Sequence, residues 1–217
     1  MALTTALDIV NAACARIGIE PLQSLADEIV AGQSASLMYE DTVDFNLALN
    51  PFSFAQEMRQ LSRLSGFTPL TGYTYGFDIP GERLGPPIWL TDDPTDPDRR
   101  FAAFVLTGGR VHASVDPLYA MVKFRPDPHL WLPAFKSCAI TALAAKFALS
   151  QASDRALYNE LQTEAYGTPS ENFRGGQMRV AIFSDSYATP PRKPNFFNNP
   201  LERARYSGSF TTDPRVG

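Results

Sequence analysis

The residues able to do chemistry are few. His112 and His129 have no second ligand at metal spacing, since the chain contains neither an HExxH nor a CxxC pattern. His112 falls in an expected strand and His129 in a proline-rich turn, so surface or hydrogen-bonded polar positions are expected for both. Gly108-Gly109 lacks the GxxxxGK[ST] and GxGxxG contexts of a phosphate loop and reads as a two-residue hairpin turn. No GxSxG elbow presents an activated serine. Cys14 and Cys138 sit among alanines, where a thiol behaves as a small buried hydrophobe, and neither a disulfide nor a metal role is expected. Asp92, Asp93, Asp96 and Asp98 form an acidic cluster, but Pro94 and Pro97 break the spacing of a calcium loop and no glutamate follows at its twelfth position. A solvated loop is expected there, able to face DNA in a channel where like charge prevents sticking. The pattern marks no enzyme and calls for no cofactor.

Composition narrows the field further. A chain of 217 residues, 44% hydrophobic and 12% aromatic, can bury one core of about 150 residues plus extras. Its net charge of -4 argues against a dedicated nucleic-acid binder, which neutralises phosphates with surplus Lys and Arg. Double-stranded DNA can therefore pass nearby without being gripped. Met1 to Ala6 lack a charged leader, and no apolar run approaches the roughly 20 residues that span a bilayer. A cytoplasmic chain without membrane contact is expected.

The elements follow from periodicity. Leu7, Val10, Cys14 and Ile17 lie on one face of a helix over 3–18, with Thr4 or Thr5 capping it, Asp8 completing a capping box and Gly18 ending it. A second helix is predicted over 27–49, with Met38, Thr42, Phe45 and Leu49, or Leu37 and Val43, facing inward. A short third helix is predicted over Phe52 to Leu61. Strands are expected around Tyr73–Phe77, Ile88–Leu90, Phe101–Leu106, Val111–Val115 and Tyr119–Phe124. Pro133 suits the first turn of a helix with Phe135, Ile140, Leu143 and Phe147 on its apolar face. Ser153 is expected to cap another, ending at Gly167, and Thr168-Pro169-Ser170-Glu171 reads as a capping box opening a last helical stretch. The fold class is therefore α+β: mainly a helical bundle (1–65 and 129–186) with an inserted small antiparallel β region (66–128) and an extended C-terminal arm (187–217).

The arm differs in charge from the body. Arg192, Lys193, Arg203, Arg205 and Arg215 against Glu202 and Asp213 give it +3, which leaves -7 for residues 1–186. Phe183, Tyr187, Phe196, Phe197, Leu201, Tyr206 and Phe210 are candidate anchors to a subunit or partner surface, with Arg192, Lys193, Arg203 and Arg205 as the charged contacts. The alternative is that these aromatics pack back on their own subunit.

The ordering of segments resembles the tail tubular protein A and related head-to-tail adaptor proteins of tailed phages. The matching pieces are Ala6-Leu7-Asp8-Ile9-Val10-Asn11-Ala12-Ala13-Cys14-Ala15-Arg16-Ile17-Gly18, then Glu20-Pro21-Leu22-Gln23-Ser24-Leu25, and a helix ending near Phe45. They continue with Pro51-Phe52-Ser53-Phe54-Ala55, with Tyr73 to Pro80 opening the β region, with Leu132-Pro133-Ala134-Phe135, and with a helix after Ser153. The resemblance implies a helical bundle with a β insertion, assembled as a ring of twelve copies between portal protein and tail. Such a ring belongs to the virion neck, conducts DNA and carries tail proteins such as a nozzle or tail terminator. The family's last segments reach toward the portal. Tyr166-Gly167-Thr168-Pro169 departs from the family by interrupting its longer final helix. The alternatives are another ring-forming neck component, a head-completion or tail-terminator protein with a different fold, or a small-ligand binding module.

Overall fold

The computed structural model describes residues 5–26, 28–30, 33–96, 99–152 and 154–188. The first helix, α1 (Ala6–Arg16), starts on a reciprocal cap: Asp8 N donates to Thr5 Oγ1 at 3.2 Å, and Thr5 N donates to Asp8 Oδ2 at 3.0 Å. Thr5 is thus the cap, and Gly18, at φ 74°, follows the helix end in the left-handed region. Ile9, Val10, Ala13 and Cys14 are buried, while Leu7 and Ile17 are half-buried.

The second helix is shorter than its periodicity predicts. Instead, β1 (Glu28–Val30) and β2 (Gln33–Ser34) pair antiparallel, and α2 covers Ala35–Leu49. The β-branched pair Ile29-Val30 favours extended backbone, and Gly32 is a poor helix former. The inward face of α2 carries Tyr39, Thr42, Val43, Asn46 and Leu47; Leu37 and Phe45 point outward, against expectation, and Met38 and Leu49 are half-buried.

The predicted third helix is absent from the described residues. Ser53–Ala55 make one 3-10 turn, and β3 (Gln56–Gln60) follows, so the β region begins earlier than composition suggests. Pairing with a distant strand overrides the helical spacing of Met58 and Leu61. The aromatic payload still reaches the core: Phe52 is fully buried, its ring 5.0 Å from that of Phe135.

The β region holds two antiparallel sheets. Strands β4 (Ser62–Arg63), β5 (Tyr75–Asp78), β6 (Trp89–Thr91), β7 (Phe104–Thr107), β8 (Arg110–Ala113) and β9 (Tyr119–Lys123) join β3 in the orders β3-β9-β6 and β4-β5-β8-β7. The β7–β8 hairpin turns on Gly108-Gly109, at φ 59° and 75°, the conformation that a tight two-residue turn demands. Leu61, Phe77, Ile79, Leu90, Val111, Leu118 and Val122 make a second apolar core between the sheets.

The chain then returns to helices. Pro133 opens α3 (Pro133–Ala152), whose buried residues Phe135, Cys138, Leu143, Ala144, Phe147 and Ala148 are spread around the whole helix. Such an all-round apolar surface suits a central position, and α1, α2, α4 (Arg155–Tyr166) and α5 (Gly176–Ser186) all pack on it. The cap of α4 is Asp154, whose Oδ1 accepts from Leu157 N at 3.0 Å; Ser153, the expected cap, lies outside the described residues. Thr168 and Glu171 do form a capping box, but it closes a 3-10 turn (Pro169–Glu171), and α5 starts only at Gly176. The fold is α+β, a helical layer and a sheet layer joined by Arg125, which donates to both Asp44 carboxylate oxygens at 2.8 and 2.6 Å.

A polar cluster ties four helices together. Arg16 donates to Thr141 Oγ1 at 2.8 Å and to Glu164 Oε2 at 2.6 Å; Gln177 donates to Glu164 Oε1 at 2.7 Å and accepts from Thr141 Oγ1 at 2.9 Å. One member comes from each of α1, α3, α4 and α5, so the network fixes their mutual register.

Candidate interaction surface

Helix α5 is apolar on two opposite faces. Met178, Ala181 and Asp185, at i, i+3 and i+7, are buried against the bundle. Val180, Phe183 and Tyr187, at the same spacing half a turn round, are 59%, 62% and 75% exposed. The rings of Phe183 and Tyr187 meet edge to face, with centroids 5.2 Å apart. A contiguous bare apolar stripe opposite the buried face of a helix is the usual mark of a contact surface.

The end of α5 is held in place by a buried carboxylate. Asp185 Oδ1 accepts from Ser53 Oγ at 2.6 Å, and both its oxygens accept from Ser53 N at 3.0 Å. This clamp fixes where the chain leaves the bundle and how the stripe is aimed. At the other end, three glycines make the α4–α5 turn: a Cβ on Gly176, at φ 51°, would meet Glu164 O at 2.3 Å. A Cβ on Gly167 would meet Gly175 Cα at 2.8 Å.

Of the expected anchors, the structure brings Phe183 and Tyr187 together on this stripe. Both are exposed, and neither packs into its own subunit's core. Arg192, Lys193, Phe196, Phe197, Leu201, Arg203, Arg205, Tyr206 and Phe210 lie outside the described residues, as does the expected arm from residue 189 on. Val180, on the stripe, and Asp185, buried on the opposite side of the helix, are not singled out by the sequence. The signal for Val180 was its spacing to Phe183 and Tyr187, which becomes readable only when the start of α5 is known.

The acidic loop is built by its own hydrogen bonds. Asp93 Oδ1 accepts from Thr95 N at 3.0 Å and from Thr95 Oγ1 at 2.6 Å, which holds its carboxyl below the usual range. Asp92 pairs with Arg99 at 2.6 Å, and that pairing raises the guanidinium's affinity for its proton. Asp96 is exposed, and Asp98 lies outside the described residues. The loop therefore contains its own countercharge.

His112 is buried in β8, with Nδ1 2.9 Å from Thr71 Oγ1 and Nε2 without a partner among the described residues; His129 is exposed. Among the described residues no group of three or more His, Cys, Asp or Glu is placed to hold a metal ion, and no helix is long and apolar enough to cross a membrane. A hollow beside Asn159, Glu160, Thr163 and Glu164 is lined by α4 alone, so it lacks the convergent walls of a ligand site. No protein-family model matches the chain, and no curated protein matches it.

Proposed function

We propose that this chain is the repeating subunit of a ring at the neck of a tailed bacteriophage, a head-to-tail adaptor between portal protein and tail. The bare stripe of Val180, Phe183 and Tyr187 carries the reading, because it ends where the basic arm begins. A surface patch continuous with a segment of opposite charge to the body is suited to docking on another subunit. The order of helices around a β region supports the same reading through the family resemblance. In a ring, the lumen conducts DNA without sequence-specific contacts, and the net charge of -4 is compatible with free passage. The role is structural: the subunit holds surfaces in register and turns over no substrate.

Light scattering on the full chain, alone and mixed with portal particles, tests this. The expected result is a ring-sized mass added to the portal, lost on truncation after Asp185 and weakened at least tenfold by Phe183→Asp. A chain that stays monomeric and ignores the portal at every salt concentration overturns the adaptor reading. Binding to tail particles in place of the portal would favour a tail-terminator role.

A further inference from the structure

The edges of the two sheets are not equally guarded. β3 carries Glu57 and Arg59, which pair with each other at 2.8 Å. β4 is two residues long, and its Arg63 reaches Asp116 at 2.9 Å. β6 is bridged by Phe101, whose N donates to Leu90 O at 2.8 Å. Among the described residues β7 has no such protection: Phe104-Val105-Leu106-Thr107 contains no charge and no proline, and its pairing with β8 runs without a bulge.

The hairpin geometry says which groups this edge presents. Both turn glycines have positive φ, so Thr107 and Arg110 exchange the closing hydrogen bonds, and the alternation makes Val105 and His112 the next bonded pair. The N–H and C=O groups of Phe104 and Leu106 therefore point away from β8, and no described backbone group takes them. The Val105 and Leu106 side chains are more than a third exposed. Thr71 touches His112, the cross-strand partner of Val105, and its sequence neighbour Leu70 is fully exposed.

We propose that β7 receives the Ser207–Thr212 segment of a second copy of this chain as an added strand. The segment is uncharged, Phe210, Thr211 and Thr212 are strand formers, and Asp213-Pro214 ends it. Arg203 and Arg205 precede it, opposite in sign to the loop leading to β7, where Asp92, Asp93, Asp96 and Asp98 against Arg99 and Arg100 leave a net charge of -2. The stretch from Ala188 to Ser207 spans up to about 60 Å when extended. A body of this size is roughly 40 Å across, so the segment can reach a neighbour. Edge and segment are different, complementary surfaces, as a heterologous ring contact requires. This inference rests on the ring reading above.

The test places p-benzoylphenylalanine at Phe210 in the full chain, assembles it with portal particles and irradiates it. The expected product has twice the subunit mass, with the crosslink mapped to residues 101–110 of the second copy. Leu106→Lys, a charge of the kind that guards natural edges, should reduce that product at least tenfold and leave the circular dichroism spectrum unchanged. A ring that assembles but crosslinks within one copy, or only to portal or tail protein, overturns the strand proposal and leaves the adaptor reading intact. Equal yield from Leu106→Lys overturns it too. A chain that never assembles overturns both.

Discussion

Asp185, near the end of α5, takes hydrogen bonds from Ser53 across 132 residues of sequence, two from its backbone N–H at 3.0 Å and one from its hydroxyl at 2.6 Å. Asp185→Ala leaves the Ser53 N–H without its partner in a half-buried site, so a loss of about 1–3 kcal/mol is expected. Denaturant unfolding of the two proteins measures it. Ser53→Ala, which keeps the backbone donor, should cost less. An unchanged midpoint for Asp185→Ala would mean that α5 holds its position without the clamp.

Gly176→Ala should be more damaging than a surface change has a right to be. The new Cβ meets the carbonyl oxygen of Glu164 at 2.3 Å, a backbone atom that cannot swing aside, at a φ of 51° that only glycine adopts freely. A loss exceeding about 2 kcal/mol is expected, through steric and backbone strain together. Thermal unfolding reports it, and a substitution within 1 °C of the parent would contradict the geometry of the α4–α5 turn.

Both thiols should be silent. Burial pushes Cys138 up to about 12 and raises Cys14 as well, so thiolate is disfavoured in both. Ellman's reagent should find no reactive thiol in the folded chain and two in guanidinium. Fast reaction of either would show that the seam between α1 and α3 opens readily.

Glu171 gives a pH signature. Thr168 donates to its Oε2 from N at 2.8 Å and from Oγ1 at 3.1 Å, and these bonds hold the carboxyl below its ordinary 4.5. A depressed value stabilises the fold above the unfolded pKa and loses that contribution as pH falls through the folded one. The melting-temperature gap between parent and Glu171→Gln should therefore be full at pH 6 and shrink below about pH 4.5. A gap constant from pH 7 to pH 3 would remove Glu171 from the cap.

What could be read from the sequence was local. Thr5 with Asp8, Gly108-Gly109, Pro133 and Gly167 are signals whose meaning lies within a few residues, and each marks the boundary or turn expected of it. Gln56–Gln60 has helical spacing yet forms a strand, because its partner, Tyr119–Lys123, lies some sixty residues away and local spacing cannot register it. The surface was half legible: Phe183 and Tyr187 stand out as aromatics, but Val180 gains meaning only from the helical phase of α5, and Asp185 only from Ser53. The bare edge of β7 had no signal, since an edge is defined by the strand that is not there.

The link between Arg16 and Thr141 bears on how the chain is made. The two residues are 125 positions apart, and a ribosome adding roughly 5–20 residues per second needs about 6–25 s to cover that interval. Throughout it, the apolar side of α1, with Ile9, Val10, Ala13 and Cys14, has been synthesised while the helix that covers it has not. The nascent chain must therefore carry its first helix without its main cover past the whole β region, a window in which holdase chaperones have a natural client.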